Sequence, residues 1–405
     1  MNLRVLHIID PEGAAGTCAL RLLAESCDNL PGTEQEVLLL GPTPVEKQAR
    51  DAGLSDFARI APPLKNPALA VPGLRQFLRN NRPFHIIHSW SVPAYTLGAL
   101  ALGTRRRLLT LTMPPADVRS GHWLRMLMEY RPGNVLAVSN TVAAAVRRRG
   151  LKEGSVHVLR PGLKFSMLDH SLRSTLRDKW QVNDETRVVA LLGEPAGSCD
   201  AWLAWRVFAA LRVAGNDACF LVPPGARAVR EARERARAMG WGHRFLVEEK
   251  VKTPWQVLPA CDAALFAGDD RVPDDSPPPL LTWNSGTAAA RMPGLMPVLW
   301  AMACRTPIVA EASYGISEIL EHNHSAQLVR PGDIWGLVKA LQSVTEDPQS
   351  SWEMRDTACS EAFSFFSRRR YCDDLAGVYE QLAEGLPVRV PDLPVTGGVR
   401  FASVR

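Results

Sequence analysis

Short apolar runs alternate with longer amphipathic stretches along the first half of the chain. Leu3–Ile9 reads as a buried strand, Gly13–Gly16 as a small-residue turn and Thr17–Cys27 as a helix. Glu36–Leu40 is a second strand, stopped by Gly41 and Pro42. The spacing then predicts a helix over Gly73–Asn80, a strand over Ile86–His88 and a helix over Ala94–Leu102. Strands follow at Leu108–Thr112 and Asn134–Val138, with a helix over Thr141–Arg149 capped by Ser139 or Asn140 and a last strand at Val156–Leu159. Strands separated by helices imply a parallel sheet covered on both faces.

After a connection near Phe165–Asp184 the pattern restarts. Arg187–Gly193 repeats the opening strand and glycine turn, and Ala201–Ala214 is a long helix. Strands are expected at Ala218–Val222, Phe245–Val247 and Ala263–Ala267, with helices at Arg227–Met239 and Pro254–Cys261. Gly268–Gly294 mixes four prolines within residues 273–279 with the acidic pairs Asp269-Asp270 and Asp274-Asp275, which suits a long solvated loop better than a rigid metal site. Pro297–Ala310 then reads as a short helix and buried strand, Tyr314–Leu320 as a glycine turn opening a second helix, and Leu328–Asp333 as a strand and turn. Leu375, Val378, Tyr379 and Leu382 recur at helical spacing within Tyr371–Leu382, and the Pro- and Gly-containing residues 385–405 read as a flexible tail.

The chain is therefore α/β, with two doubly wound Rossmann-like halves in series and an expected ligand cleft where the carboxyl ends of their strands face each other. The expected domains are 1–170 and 185–360, with a helix at 365–384 returning to the first. A length of 405 residues fits two domains, and 46% apolar with 22% charged residues is the composition of a globular protein. The eight cysteines are scattered without a CxxC and read as reduced, buried thiols. No signal-type leader and no run of about 18 apolar residues is visible, so the cytoplasm is the expected location. A formal charge of +5 permits an anionic ligand without specifying one. The runs Arg147–Arg149 and Arg368–Arg370 read as solvated helix faces, and no nucleic-acid partner is expected.

The order of Pro297–Ala310, Tyr314–Leu320 and Leu328–Asp333 resembles the nucleotide-sugar half of retaining glycosyltransferases with the two-Rossmann-domain (GT-B) fold, in the family 4 type that includes sucrose synthase. Val135–Asn140 with Val156–Gly162 is similar to that family's last strand, capped helix and interdomain link. Ile86–Ser91 looks like its histidine-bearing strand end, and Phe363–Leu382 like its returning C-terminal helix. The resemblance implies a hexosyltransferase that binds a nucleotide-sugar and passes the sugar to a sugar or lipid-linked acceptor, with no cofactor and no metal. It leaves room for a peripheral membrane contact.

By the same resemblance, Gly13, Gly16, Gly294, Leu295, Met296, Tyr314, Gly315, Ile316 and Glu318 are donor-binding candidates, and His88 is the catalytic candidate. Small residues before a helix let backbone amides approach a phosphate. An ordinary strand-to-helix turn, a first-turn acid at Glu318 and a packed histidine at His88 are the plainer alternatives. Several polar positions of the family are replaced. Trp300 and Met292 stand where two glutamates hold the sugar and ribose, and Met113 where a histidine stands. Glu194 and Cys199 or Asp200 fall where an arginine and a lysine face the diphosphate, with Arg187 and Arg206 as substitutes to consider. A catalytically silent GT-B protein, retained for binding or scaffolding, is the alternative. No P-loop, Gly-x-Ser-x-Gly or His-Glu-x-x-His motif is present. Eleven tryptophans exceed what a core needs, so some are expected to line a ligand site.

Overall fold

The computed structural model describes residues 2–10, 13–27, 30–41, 44–60, 70–101, 106–112, 118–130, 132–165, 172–193, 199–247, 256–267, 295–312, 315–346 and 348–393. The expected loop 268–294 and the end of the expected tail, 394–405, lie outside them.

In chain order the first elements are β1 (Leu3–Ile9), α1 (Gly13–Cys27), β2 (Thr33–Leu40), α2 (Pro44–Asp51), β3 (Ala58–Ile60), α3 (Val71–Asn80) and β4 (Ile86–Ser89). They continue as α4 (Val92–Ala101), β5 (Arg106–Leu111), α5 (Val118–Tyr130), β6 (Asn134–Ala137), α6 (Asn140–Arg148) and β7 (Val156–Val158). The second series is α7 (Leu172–Lys179), β8 (Arg187–Leu191), α8 (Ala201–Val213), β9 (Ala218–Val222), α9 (Val229–Ala238), β10 (Phe245–Val247) and β11 (Ala263–Phe266). Then come α10 (Leu295–Ala303), β12 (Ile308–Glu311), β13 (Gln327–Val329), α11 (Ile334–Glu346), α12 (Pro348–Phe365) and α13 (Arg368–Glu384).

Two compact units result, and among the described residues one is built from 1–162 with 368–392, the other from 163–267 with 295–367. The first holds a parallel sheet in the order β3-β2-β1-β4-β5-β6-β7, the second a parallel sheet in the order β10-β9-β8-β11-β12-β13. In both, the order reverses beside the opening strand, which places a switch point between β1 and β4 and between β8 and β11.

Side-chain alternation explains why both sheet faces are covered. In β8 and β11, Val188, Ala190, Ala264 and Phe266 face one core, built with α10 and α12. Val189, Leu191, Ala263 and Leu265 face the other, built with α8 and α11. In the first unit Leu6 and Ile8 pack with Leu74 of α3 and Leu97 of α4. Helix α4 is buried on every side from Ala94 to Ala99, which fits its nearly all-apolar sequence, and the Thr96 hydroxyl donates to the Val92 carbonyl.

Local chemistry fixes the element ends. Ser139 caps α6 by accepting from the Val142 amide, as one of the two expected cap residues. Asp200 caps α8 by accepting from Trp202 and Leu203. Asp333 accepts from the Gly336 amide at the start of α11. A Cβ at Gly336 would stand 2.6 Å from Asp333 Oδ2 and from Val329 Cγ1, and Gly332 has φ +81°, so this turn requires both glycines. Of the expected second helix after Gly315, only one 3₁₀ turn forms, Ile316–Glu318. The expected helix 254–261 appears among the described residues as a single 3₁₀ turn, Leu258–Ala260.

The chain leaves the first unit at Gly162 and returns at Arg368. Within the second unit Leu163 donates to the Phe366 carbonyl, and Phe165 packs edge-on against Trp300. Within the first, Arg370 donates to the carbonyls of Arg160 and Pro161 and pairs with Asp374. The Arg368–Arg370 run is thus not a uniformly solvated face: Arg370 is held inward, whereas Arg369 is exposed. Residues 386–389, expected as tail, fold back along α13: Gln381 donates to the Arg389 carbonyl at 3.1 Å and Val388 is buried. Every cysteine whose side chain is described is free and buried, and burial pushes the Cys219 and Cys304 thiols up to about 12. Among the described residues no helix is long and apolar enough to cross a membrane.

Candidate functional site

In an open parallel sheet, ligands meet the carboxyl ends of the strands, where loops and helix N-termini converge. In the second unit that edge is formed by the ends of β8, β11, β12 and β13 and the starts of α8, α10 and α11. Helix α10 opens at Leu295, with Leu295 and Met296 half-buried against the core below. The first turn of a helix leaves its amides without intrahelical acceptors, and the macrodipole adds partial positive charge there. Pro297 has no N–H, and its fixed φ suits the first turn of a helix.

At the end of β12, Glu311 is buried and accepts from the Gly332 amide at 2.6 Å, tying the β13–α11 turn to that strand end. Gly315 and Ile316 are buried and Glu318 is half-buried. Gly315 has helical dihedrals, φ −74° and ψ −41°, so the turn does not need glycine for a positive φ. The structure therefore brings Gly315, Ile316 and Glu318 into one turn and Leu295 and Met296 into one helix start. Gly294 and Tyr314 lie outside the described residues, as do Met292, Met113 and Glu194.

The replaced positions that are described serve the fold. Trp300 is only 2% exposed, deep in α10, with its ring 5.7 Å from that of Phe165. It fills core volume and offers no surface to a sugar. Asp200 uses one carboxylate oxygen to cap α8 and the other to pair with Arg227. Arg187 begins β8 and so lies at the opposite, amino edge of the sheet. Arg206 is exposed on α8 between the buried Trp205 and Val207. Arg187 is therefore not brought to the ligand edge.

Arg227 is the cation that sequence reasoning did not single out. Its backbone pairs with residues 199–201, donating to the Cys199 carbonyl and accepting from the Ala201 amide. Because Asp200 donates to the Ala267 carbonyl just past β11, this pairing carries Arg227 to the switch point. Its side chain is 46% exposed. The only sequence signal was the Pro-Pro-Gly turn before it, which does not say where the chain returns.

In the first unit, helix α1 already includes Gly13–Gly16, so the expected turn is the first turn of the helix. A first turn needs few intrahelical bonds, and small residues can enter it. Gly16 is buried there.

His88 has a different setting from that of a catalytic base. It is fully buried, Nδ1 lies 2.6 Å from the Tyr379 hydroxyl and Nε2 2.7 Å from Thr110 Oγ1. Its ring stacks on Trp90 at 4.4 Å. His7, paired with His88 across β1 and β4, receives a hydrogen bond from the Trp90 indole at 3.0 Å and meets Gln35 at 3.1 Å. Burial lowers the His7 pKa to about 4, with the Gln35 contact opposing. Burial first, and His7 second, hold His88 well below its usual value. Both imidazoles are therefore neutral in the fold, and both nitrogens of His88 are engaged. The arrangement anchors α13 to the sheet through Tyr379 and leaves His88 no nitrogen for a substrate proton. His88 was legible as a candidate from the sequence, whereas His7, Gln35, Trp90, Thr110 and Tyr379 became its neighbours only through strand register and helix docking.

Trp90, Trp180 and Trp205 are also buried. Trp202, Trp335 and Trp352 are exposed. Among the described residues no group of three His, Cys, Asp or Glu side chains is placed to hold a metal.

With this geometry in hand, residues 295–361 match the family of glycosyl transferases group 1. That segment begins at α10 and ends in α12. No curated protein matches the chain in sequence. Solved structures similar in fold include Anabaena HepE in complex with UDP-glucose, at 17% identity and TM-score 0.72, over 95% of this chain and 99% of that one. A glycosyltransferase from Rickettsia africae gives 11% identity and TM-score 0.70, over 94% and 98%. Sucrose-phosphate synthase from Thermosynechococcus elongatus gives 14% and 0.68, over 95% and 100%. The chain has the fold of GT-B glycosyltransferases, two Rossmann-like units, and its second unit contains the segment characteristic of glycosyl transferases group 1.

Proposed function

We propose that the protein is a glycosyltransferase that binds a nucleotide-sugar on its second unit and transfers the hexose to a sugar or lipid-linked acceptor. The observation that carries this reading is the family match beginning at Leu295, where α10 presents its first turn to the ligand edge. In this reading the amides of Leu295 and Met296 face the diphosphate, aided by the helix macrodipole. Glu318, with Gly315 and Ile316, holds the ribose or sugar. Arg227 takes the place of the arginine and lysine replaced at 194 and 199–200, and offsets the charge that develops on the leaving diphosphate. Gly13 and Gly16 at the start of α1 supply close backbone approach on the first unit. A UDP-hexose is the donor we assign, because the similar Anabaena protein is solved with UDP-glucose. Transfer with retention, as in the family 4 type, follows from the same resemblance, and the chemistry needs no metal when an arginine and helix amides balance the diphosphate.

A catalytically silent donor-binding protein is the second reading. Trp300 packed in the core and Asp200 committed to a helix cap favour it, since neither position can serve a sugar or a diphosphate. Thermal unfolding with UDP, GDP, ADP and their sugars separates the cases. A bound nucleotide at a hundredfold excess over its Kd stabilises the native state by about 2.7 kcal/mol. The proposal expects a rise with UDP and UDP-hexoses, weakened by Arg227→Ala, together with turnover of the donor. A rise without donor turnover selects the silent binder. No rise with any nucleotide at millimolar concentration would sink both readings.

A further inference from the structure

Two of the exposed tryptophans repeat one short pattern. Asp200-Ala201-Trp202 is followed by Arg206, and Asp333-Ile334-Trp335 by Lys339. Each aspartate accepts from the first turn of its helix, α8 in one case and α11 in the other. Each tryptophan is the second residue of that helix, and each cation lies one turn further along the same face. Trp202 is 37% and Trp335 67% exposed. Trp352, also exposed, lacks the pattern: Ser350 stands two positions before it, and Asp356, paired with Arg305, four positions after.

The fold brings the two repeats together. Helices α8 and α11 pack side by side on one face of the second sheet and share its core. Both follow parallel strands, so they run in the same direction and start at the carboxyl edge. Packed helices have axes about 8–10 Å apart, so the two tryptophans open neighbouring helices at the same edge. The Cα–Cβ bond of a helical residue tilts toward the amino end, which lays each indole over the turn before it. The rings thus lean toward the ligand edge rather than down the helix flanks.

Nothing in the fold requires these rings. Trp205 is buried with Phe208, Trp241 and Phe245, and the core below is filled by Ala204, Leu337 and Val338, without Trp202 or Trp335. Tryptophan has only a middling helix propensity. A single exposed aromatic is ordinary, whereas two at matched positions on adjacent helices make a surface.

The polar groups around the rings narrow the ligand. Asp200 uses both oxygens, on its cap and on Arg227, and Asp333 uses one on its cap. Arg206 and Lys339 are exposed and form no ion pair among the described residues, and Arg330 is exposed just before the α11 turn. Each ring therefore lies between a carboxylate and a cation. Sugar hydroxyls donate to the first and accept from the second. The C–H face of a pyranose suits the electron-rich face of an indole. A single-stranded nucleic acid also stacks on such rings, but it needs a continuous cationic track, which the two carboxylates interrupt.

From this repeated pattern we propose that the starts of α8 and α11 form a saccharide-binding platform, on which one uncharged hexose oligomer lays one ring against Trp202 and another against Trp335. Arg206 and Lys339 donate to its hydroxyls. The platform holds the chain and takes no part in bond making, so it does not rest on the donor reading.

Isothermal titration of the full-length protein with maltohexaose, cellohexaose and mannohexaose tests it. At least one is expected to bind, and the matching disaccharide, too short to reach both rings, to bind more weakly. Trp202→Ala and Trp335→Ala should each weaken the hexamer up to about tenfold, and the double variant should lose it. Trp202→Phe and Trp335→Phe should keep most of the binding, which separates stacking from misfolding. Trp352→Ala should change nothing. No binding by any of the three hexamers, disaccharide binding as tight as hexamer binding, or full binding by the double alanine variant would overturn the proposal. Binding of oligothymidylate but of no hexose oligomer would overturn it in favour of a single-stranded nucleic acid. UDP-dependent thermal stabilisation of Trp335→Ala reports donor binding separately, so either proposal can fail alone.

Discussion

The two units share a strand order but bury polar groups in different ways. Beside the first unit's switch point, β1 and β4 carry His7 and His88, both neutral, linked to Gln35, Trp90, Thr110 and Tyr379 without a formal charge. The second unit buries ions at its amino edge. Arg177 is almost wholly buried, bonded to the Ala260 and Thr186 carbonyls and paired with Asp262, which also accepts from the Val188 amide. Burial works to raise the Asp217 carboxyl, but Thr186, Arg244 and Arg212 outweigh it and hold it below the usual range. The difference teaches where each unit is vulnerable. A neutral imidazole cluster resists salt and yields to acid, whereas a paired-ion edge resists mild acid and yields to loss of one partner.

The largest expected effect tests whether unit 2 has given up the sugar clamp for core packing. Trp300→Glu should cost about 3–5 kcal/mol, combining a cavity with a buried unpaired carboxylate. Urea unfolding followed by fluorescence measures it, and a loss below about 1 kcal/mol would show that position 300 reaches solvent or a ligand.

Acid should separate the units next. His7 binds its proton near pH 4 in the fold and near 6.5 in the unfolded chain, so between these values the unfolded state holds more protons. Stability of the first unit is full above about 6.5 and falls by about 3 kcal/mol toward pH 4. The depressed His88 adds to the loss in the same direction. Hydrogen exchange should show β1, β4 and α13 loosening over this range while β8 and β11 hold. Equal loosening of both sheets would break the contrast.

Tyr379→Phe is a smaller, local version of the same test. It removes the partner of His88 Nδ1 and should cost about 2 kcal/mol, with faster amide exchange in α13. Unchanged exchange there would mean that apolar packing, not the hydroxyl, holds the helix. Least of all, Ser139→Ala should cost about 1 kcal/mol through loss of the α6 cap. Asp200→Ala should cost more than Ser139→Ala if the Arg227 pair adds to the cap, and thermal denaturation of the two variants compares them.

Much of the fold was legible because buried parallel strands are written as continuous apolar runs. Ala218–Val222 and Phe245–Val247 coincide with β9 and β10. Elements without such runs were not. The three-residue β3 is a polar-flanked edge strand, and α2 carries Glu46, Lys47 and Arg50 over two turns. Helix α12 buries Met354, Ala358 and Ala362, a stripe of mostly alanine whose hydrophobic signal is weak. The candidate site was legible as a family pattern at 295–318, since a helix start and a turn are local in sequence. Arg227 was not, because a return of the chain 27 residues after Asp200 depends on a β-bridge that local spacing does not encode.

By itself, the sequence determined the class of fold and the repeat of two α/β halves, because apolar periodicity and turn residues act over a few positions. The tertiary structure decided what the polar residues do. His88 became part of an anchor, Asp200 a cap with a cationic partner, and Trp300 a core side chain. Burial and hydrogen-bond partners set those roles, and both come from residues up to 291 positions away, as with His88 and Tyr379.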